Sequence, residues 1–181
     1  MKRWAKSALA AAVTAGCLST LMSSANAVDP NNYPRLMHSG PDQNLCLDAD
    51  GSLGRLYAGD KVQLWACNST DTFQQWTFKD DGTIHSVADD SFCLDASMPY
   101  GKLTLGAAVQ VYPCNGGANQ VWLGANQPTW GSSDPHIYSQ AQSVTGQLMY
   151  LDANGSTPLH QGTSIDVWTY NGGANQEWYG N

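Results

Sequence analysis

An all-β fold in which three repeated units close a pseudo-threefold barrel is what this sequence predicts, and three observations predict it. Self-similarity comes first. The segments CLDADG…DKVQLWACNSTDTFQQW (46–76), CLDASM…AAVQVYPCNGGANQVW (93–122) and YLDANG…TSIDVWTYNGGANQEW (150–178) line up. Each ends on a tryptophan, Trp76, Trp122 or Trp178, with a glutamine two places earlier, Gln74, Gln120 or Gln176. Second, the apolar residues of VQLW, VQVY and IDVW alternate with their neighbours instead of recurring at helical spacing, which marks short half-buried strands. Third, the chain is rich in turn formers: it has 18 Gly, and fourteen of its 15 acids are Asp, which suits turns and caps where Glu suits helix interiors. Each unit needs its neighbours to enclose a core. Composition alone leaves a sandwich, a propeller or a β-solenoid open.

In chain order, residues 1–27 read as an export signal. Lys2, Arg3 and Lys6 precede an apolar stretch, Ala8 to Ala15, and ANA at 25–27 offers a small-residue cleavage site. The mature chain is expected to start near Val28 and to be secreted, either extracellular or periplasmic. TAGC ending at Cys17 offers a lesser alternative, a lipid anchor on that cysteine, but Thr14 stands where that pattern wants an aliphatic residue. Nothing later reaches about 18 uninterrupted apolar residues, so no transmembrane helix is expected. Loss of the leader leaves Cys46, Cys67, Cys93 and Cys114, an even set that suggests two disulfides in an exported chain. It also removes three of the 8 basic residues and none of the 15 acids, leaving five bases against fifteen acids and a net charge of −10. That balance disfavours nucleic acid and anionic membranes, both of which demand basic surface.

The remaining chain suits one domain with a real core, divided into lobes at about 35–78, 79–123 and 135–181. The closing tryptophans lie 46 and 56 residues apart, so the third unit carries a surplus of ten. The surplus is expected in GANQPTWGSSD (124–134), a Gly, Pro and Ser-rich surface loop.

Three copies of Gln-any-Trp, three Leu-Asp steps after Cys or Tyr, and the phrase CNGGANQ together resemble the ricin B-chain type lectins, also called R-type lectins or family 13 carbohydrate-binding modules. The resemblance covers nearly the whole mature chain and implies a β-trefoil whose three lobes can each hold a sugar. It assigns Asp95, Gln110, Tyr112, Asn119 and Gln120 to the second lobe's site. The third lobe matches through Asp152, Trp168, Asn175 and Gln176, with Asp166 in place of the usual Gln. The first keeps Asp48, Gln63, Trp65 and Gln74 but has Phe73 where the binding Asn is expected. Two competent lobes and a weaker first one follow.

The residues support the same sites without the family. Neighbouring side chains on a strand point to opposite faces. Val62 and Leu64, Val109 and Val111, and Ile165 and Val167 therefore form core faces, opposed by Gln63 and Trp65, Gln110 and Tyr112, and Asp166 and Trp168. If Cys46 bridges Cys67 between antiparallel segments, two steps inward bring Asp48 opposite Trp65; the same step brings Asp95 opposite Tyr112 and Asp152 opposite Trp168. In the third unit Tyr150 and Tyr170 replace both cysteines together, and such a pair can pack where the disulfide was. A carboxylate beside an exposed ring suits a sugar: the ring covers the apolar face of a pyranose and the carboxylate accepts from adjacent hydroxyls.

Structural roles compete with several of these assignments. The tryptophans before the repeat ends are core residues, and the glutamines two places earlier can serve the backbone as well as a ligand. DADG at 48–51 begins like a calcium loop but lacks the later ligands and the final Glu. His38, His85, His136 and His160 are scattered, without metal or triad spacing, and are expected on the surface or in loops. No metal, cofactor or catalytic residue is expected. A glycosidase needs two carboxylates flanking one scissile bond, whereas the acids here are spread one per lobe. A lectin for galactose-type sugars, with xylan or another plant polysaccharide as second choice, is the leading expectation. A cell-binding or targeting subunit acting with a partner toxin or hydrolase chain is the alternative, followed by a trefoil protease inhibitor or adhesin.

Overall fold

The computed structural model describes residues 33–124, 134–155 and 158–180; the expected leader with Cys17 and most of the expected 124–134 loop lie outside them. Twelve short strands run through the described residues: β1 (Met37–Ser39), β2 (Leu45–Ala49), β3 (Asp60–Ala66), β4 (Trp76–Phe78), β5 (Ile84–Ser86), β6 (Phe92–Ala96), β7 (Ala107–Pro113), β8 (Trp122–Leu123), β9 (Tyr138–Ser139), β10 (Met149–Ala153), β11 (Ile165–Trp168) and β12 (Trp178–Gly180). Within a lobe the first three strands form an antiparallel meander, β1–β2–β3, β5–β6–β7 and β9–β10–β11. The fourth strand leaves its lobe and pairs with the first strand of the next: β4 with β5, β8 with β9, and β12 with β1. At the centre β3 pairs with β7, β7 with β11, and a Gln63–Ser164 bridge returns β11 to β3. The closed threefold arrangement is a β-trefoil.

Period-two alternation explains the core. Val62, Leu64, Val109, Val111, Ile165 and Val167 are buried, as are Leu47, Leu94 and Leu151 on the neighbouring strands. Trp76, Trp122 and Trp178 have no exposed surface. Each indole N–H donates across the lobe to a main-chain carbonyl, of Leu47 at 3.1 Å, Leu94 at 2.9 Å and Leu151 at 3.0 Å. A buried Trp needs such an acceptor, so the repeated tryptophan fixes the end of each lobe to its second strand.

Cys46–Cys67 and Cys93–Cys114 are disulfide-bonded, with Cα separations of 5.0 and 5.1 Å. The register differs from the expected one by two residues: Asp48 stands opposite Gln63, Asp95 opposite Gln110 and Asp152 opposite Asp166, while Trp65, Tyr112 and Trp168 oppose Cys46, Cys93 and Tyr150. Cys67 is itself paired with Asn44 through a 2.9 Å main-chain hydrogen bond, so the bridge to Cys46 runs diagonally rather than straight across. A two-residue shift keeps every side chain on its face, so Asp and aromatic remain diagonal neighbours on one side of the sheet.

The tyrosine substitution is accommodated by packing. Tyr150 and Tyr170 rings lie 5.4 Å apart, with Tyr138 at 5.5 Å from Tyr150 and His136 edge-on to Tyr170 at 5.1 Å. The histidines are less scattered than the sequence suggested. His38 and His85 occupy one position of the repeat, opposite Cys46 and Cys93, and Tyr138 takes that position opposite Tyr150. His38 Nδ1 lies 3.5 Å from both sulfurs of its disulfide and donates to the Gln43 carbonyl at 2.7 Å; His85 Nδ1 donates to the Asp90 carbonyl at 2.7 Å. They are half-buried parts of the lobe, whereas His160 is exposed. The third lobe's surplus is also divided. The β8–β9 connection, Leu123 to Tyr138, exceeds the Thr77 to His85 connection by seven residues, and the β9–β10 connection, Tyr138 to Tyr150, exceeds His85 to Cys93 by four, while Tyr150 to Trp178 is one residue shorter than Cys93 to Trp122.

Candidate carbohydrate site

Each lobe assembles its candidate site from three places. The second strand of the meander supplies the aspartate, the third supplies the residue opposite it and the exposed ring, and a one-turn 3-10 helix supplies amides at Thr72–Gln74, Ala118–Gln120 or Ala174–Gln176. The Asn-Gly-Gly sequence builds the turn before that helix in lobes two and three. Asn115 Oδ1 accepts from Gly117 N at 2.8 Å, and Asn171 Oδ1 from Gly173 N at 2.7 Å. Gly116 and Gly172 between them hold φ of +73° and +72°, a region that L side chains rarely adopt. Gly117 and Gly173 are glycine for want of room: a Cβ would stand 2.5 and 2.3 Å from the Oδ1 of Asn119 and Asn175.

In the second lobe Asp95 is the hub. Its Oδ1 accepts from Gln110 Nε2 at 2.9 Å, and its Oδ2 accepts from Asn119 Nδ2 at 2.8 Å and Gln120 Nε2 at 3.0 Å. A carboxylate has about four lone-pair positions, so about one is left for a ligand. Burial pushes the Asp95 pKa above the ordinary carboxylate value, and the three amide donors oppose that rise. Tyr112 stands over the network, 41% exposed. Asp95, Gln110, Tyr112 and Asn119 line a cleft of about 330 Å³ completed by Ser97, Met98, Pro99 and Asn115.

Gln74, Gln120 and Gln176 have no exposed surface. Gln120 accepts from Asn115 N at 2.8 Å and donates to Pro113 O at 3.1 Å besides holding Asp95. Gln176 repeats the pattern with Asn171 N, Thr169 O and Asp152, and Gln74 with Asn68 N and Ala66 O. Expected among the sugar-contacting residues, they lie one layer beneath the surface and act by fixing the turn and the carboxylate of their own lobe.

The third lobe keeps the hub and loses one donor. Asp152 accepts from Asn175 Nδ2 at 2.9 Å and Gln176 Nε2 at 2.8 Å, beneath Trp168, which is 39% exposed. Opposite it Asp166 can donate nothing when ionised. Burial and then the Asp152 charge push the Asp166 pKa to about 7.

The first lobe keeps Gln63 Nε2 donating to Asp48 Oδ1 at 3.1 Å and exposes Trp65. Phe73 replaces the binding amide, and its ring fills the place beside Gly51, where a Cβ would meet it at 2.5 Å. The cleft here, about 400 Å³, is lined by Trp65, Phe73 and three acids, Asp48, Asp50 and Asp71. Asp71 Oδ1 caps the 3-10 turn by accepting from Phe73 N at 3.0 Å, and Asp50 lies 3.8 Å from Lys61.

A closed trefoil with a ring-capped aspartate hub in each lobe defines a class of small β-rich carbohydrate-binding domains. Residues 35–178 match the ricin-type β-trefoil lectin domain, and the chain belongs to that family. No curated protein matches it. Among solved structures, the β-trefoil lectin of the Vibrio vulnificus haemolysin/cytolysin with N-acetyl-D-lactosamine bound is similar at a TM-score of 0.62 and 19% identity, covering 82% of this chain and 93% of that one. ThreeFoil, a designed threefold-symmetric protein, gives 0.61 at 23% identity over 84% and 98%. The C-half of the earthworm R-type lectin in complex with GalNAc gives 0.59 at 21% identity over 82% and 97%. At these identities the likeness is one of fold.

Proposed function

We propose that this chain is an exported lectin without catalytic activity, that its second and third lobes are its principal sites, and that it recognises galactose-type sugars. The observation that carries the reading is the Asp95 hub: a carboxylate held by three amides, with about one acceptor position left, beneath an exposed tyrosine in an open cleft. A pyranose stacked on Tyr112 would present a hydroxyl to that position, and Asn119 would supply the second polar contact. N-Acetyl-D-lactosamine and GalNAc in the neighbouring structures support the choice of sugar. Two disulfides and the leader pattern support export. The absence of catalysis is supported by placement: Asp48, Asp95 and Asp152 serve separate lobes, Asp152 and Asp166 stand side by side on one wall instead of facing each other across a bond, and of the other two acids in the first lobe's cleft Asp71 caps Phe73 N while Asp50 lies beside Lys61.

One shallow site of this kind binds at about millimolar affinity, near −4 kcal/mol, so several lobes must engage one glycan surface to be useful. A glycan array probed with the multimerised protein is expected to show galactose-terminated ligands, and Asp95→Ala combined with Asp152→Ala is expected to lower the signal at least about tenfold. Binding that survives both substitutions would defeat the reading. A role as the sugar-binding part of a toxin is a second reading, favoured by the Vibrio neighbour being the lectin of a haemolysin/cytolysin; co-purification of a larger chain from the native source would support it.

A further inference from the structure

Asp152 and Asp166 oppose each other directly across β10 and β11, where the other lobes pair Asp with Gln. Asp152 accepts two amide donors, which leaves about two of its acceptor positions free against about one at Asp95. Asp166 is only 5% exposed, and its Oδ1 is buried without a hydrogen-bond partner. Its Oδ2 faces the Gly106 turn of the preceding lobe. A Cβ on Gly106 would lie 3.9 Å from Oδ2 and 3.4 Å from the Trp168 ring, so the glycine leaves a notch between carboxylate and ring. Nothing basic offsets this wall among the described residues: β7 presents Ala108, the 3-10 turn presents the amides of Asn175 and Gln176, β3 joins through the Gln63–Ser164 bridge, and the charge acting on Asp166 is that of Asp152. Two adjacent buried carboxylates call for a proton or a cation.

On the reading that the third lobe is a sugar site, we propose that Asp166 makes it selective for a protonated amino sugar, a hexosamine unit whose free ammonium seats against Asp166 and Asp152 beside Trp168. A neutral sugar offers hydroxyl donors but no charge to offset the carboxylate pair, which then relies on a bound proton. An ammonium brings three N–H donors and the opposite charge to the same wall, and the indole beside it attracts a cation. The acidic chain, −7 overall, favours the approach of a polymer of such units. Asp166 is then a specificity-determining residue, and the lobes differ in ligand: neutral at Asp95–Gln110, cationic at Asp152–Asp166.

The experiment compares glucosamine and galactosamine trisaccharides with their N-acetylated forms, titrated into the intact protein while the Trp168 indole is followed by NMR. The free-amine form is expected to bind this lobe about tenfold or more tightly than the N-acetyl form, and Asp166→Gln is expected to reverse that order. Should Asp166→Gln keep the wild-type preference, the inference fails although the lobe remains a sugar site. Should neither the free-amine nor the N-acetyl form shift the Trp168 indole of the wild type, the sugar-site reading of this lobe fails as well. A Trp168 response to calcium ions alone that depends on Asp166 would identify a metal site and overturn the amino-sugar assignment. Calorimetry on the wild type needs no variant: at pH 6, seating the ammonium is expected to release about one proton from Asp166, and binding without proton release would overturn the proposal.

Discussion

At the scale of single residues, the change from Gln110 to Asp166 at one repeat position carries a consequence for stability. Burial and the neighbouring Asp152 raise the Asp166 pKa from 3.8 to about 7. Between those values the folded chain holds a proton that the unfolded chain has released, so stability is highest at the acid end of that window and falls as pH rises through it. Asp166→Gln restores the donor found at Gln63 and Gln110. Urea unfolding is expected to show the variant more stable than wild type by about 1–3 kcal/mol at pH 8, the cost of an unsatisfied buried group, with a smaller difference at pH 5. An unchanged difference between the two pH values would mean that Asp166 does not titrate in this window. Asp48, Asp95 and Asp152 shift in the same direction, so part of the slope remains in the variant. The substitution itself was legible by aligning the three repeats. Its isolation was not, because no letter of the sequence says that a side chain lacks a partner. The reverse holds for His38 and His85, whose repeat position was present in MHS, IHS and IYS at 37–39, 84–86 and 137–139, but metal or triad spacing was the wrong pattern to look for.

At the scale of elements, the Asn-Gly-Gly turn separates two functions of glycine. Gly116 holds a positive φ with nothing within 4 Å of a Cβ, whereas a Cβ on Gly117 would collide with Asn119 Oδ1 at 2.5 Å and Asn115 Oδ1 at 2.8 Å. Gly116→Ala is expected to lower stability by about 1 kcal/mol through backbone strain and to leave the Asn119 bond to Asp95 in place. Gly117→Ala is expected to displace Asn119 and weaken sugar binding by the second lobe severalfold at a similar cost in stability. Titration of the two variants with a galactoside, read at Tyr112 by NMR, separates them; equal losses of affinity would show that the turn acts only through overall stability. Strand faces were legible because side-chain alternation survives any even shift of register. The register was not, because a disulfide constrains its cysteines to within several ångströms and both a straight and a diagonal partner meet that limit. The buried glutamines illustrate the same gap: spacing placed Gln120 near the site, but only the chain path from Asn115 to Pro113 shows its side chain consumed by main-chain groups.

At the scale of the molecule, the repeat made the threefold architecture legible, while the exchange of strands between lobes came only from the pairing. Because β4, β8 and β12 each complete the next lobe's meander, no lobe can unfold without exposing an edge of its neighbour, and the three tryptophans bond into a shared core. Thermal unfolding is therefore expected to be one cooperative transition even though covalent reinforcement is uneven. Two lobes carry a disulfide that spans 21 residues, and the third relies on the packing of Tyr138, Tyr150, Tyr170 and His136. Closing a loop of that length stabilises by about 3 kcal/mol through the unfolded chain. Replacing Cys46 and Cys67 together by serine, or Cys93 and Cys114 together, is expected to lower the midpoint by similar amounts while leaving one transition. Two resolved transitions, with only the lobe that lost its bridge melting early, would show that the lobes are independent units and that strand exchange contributes little to cooperativity.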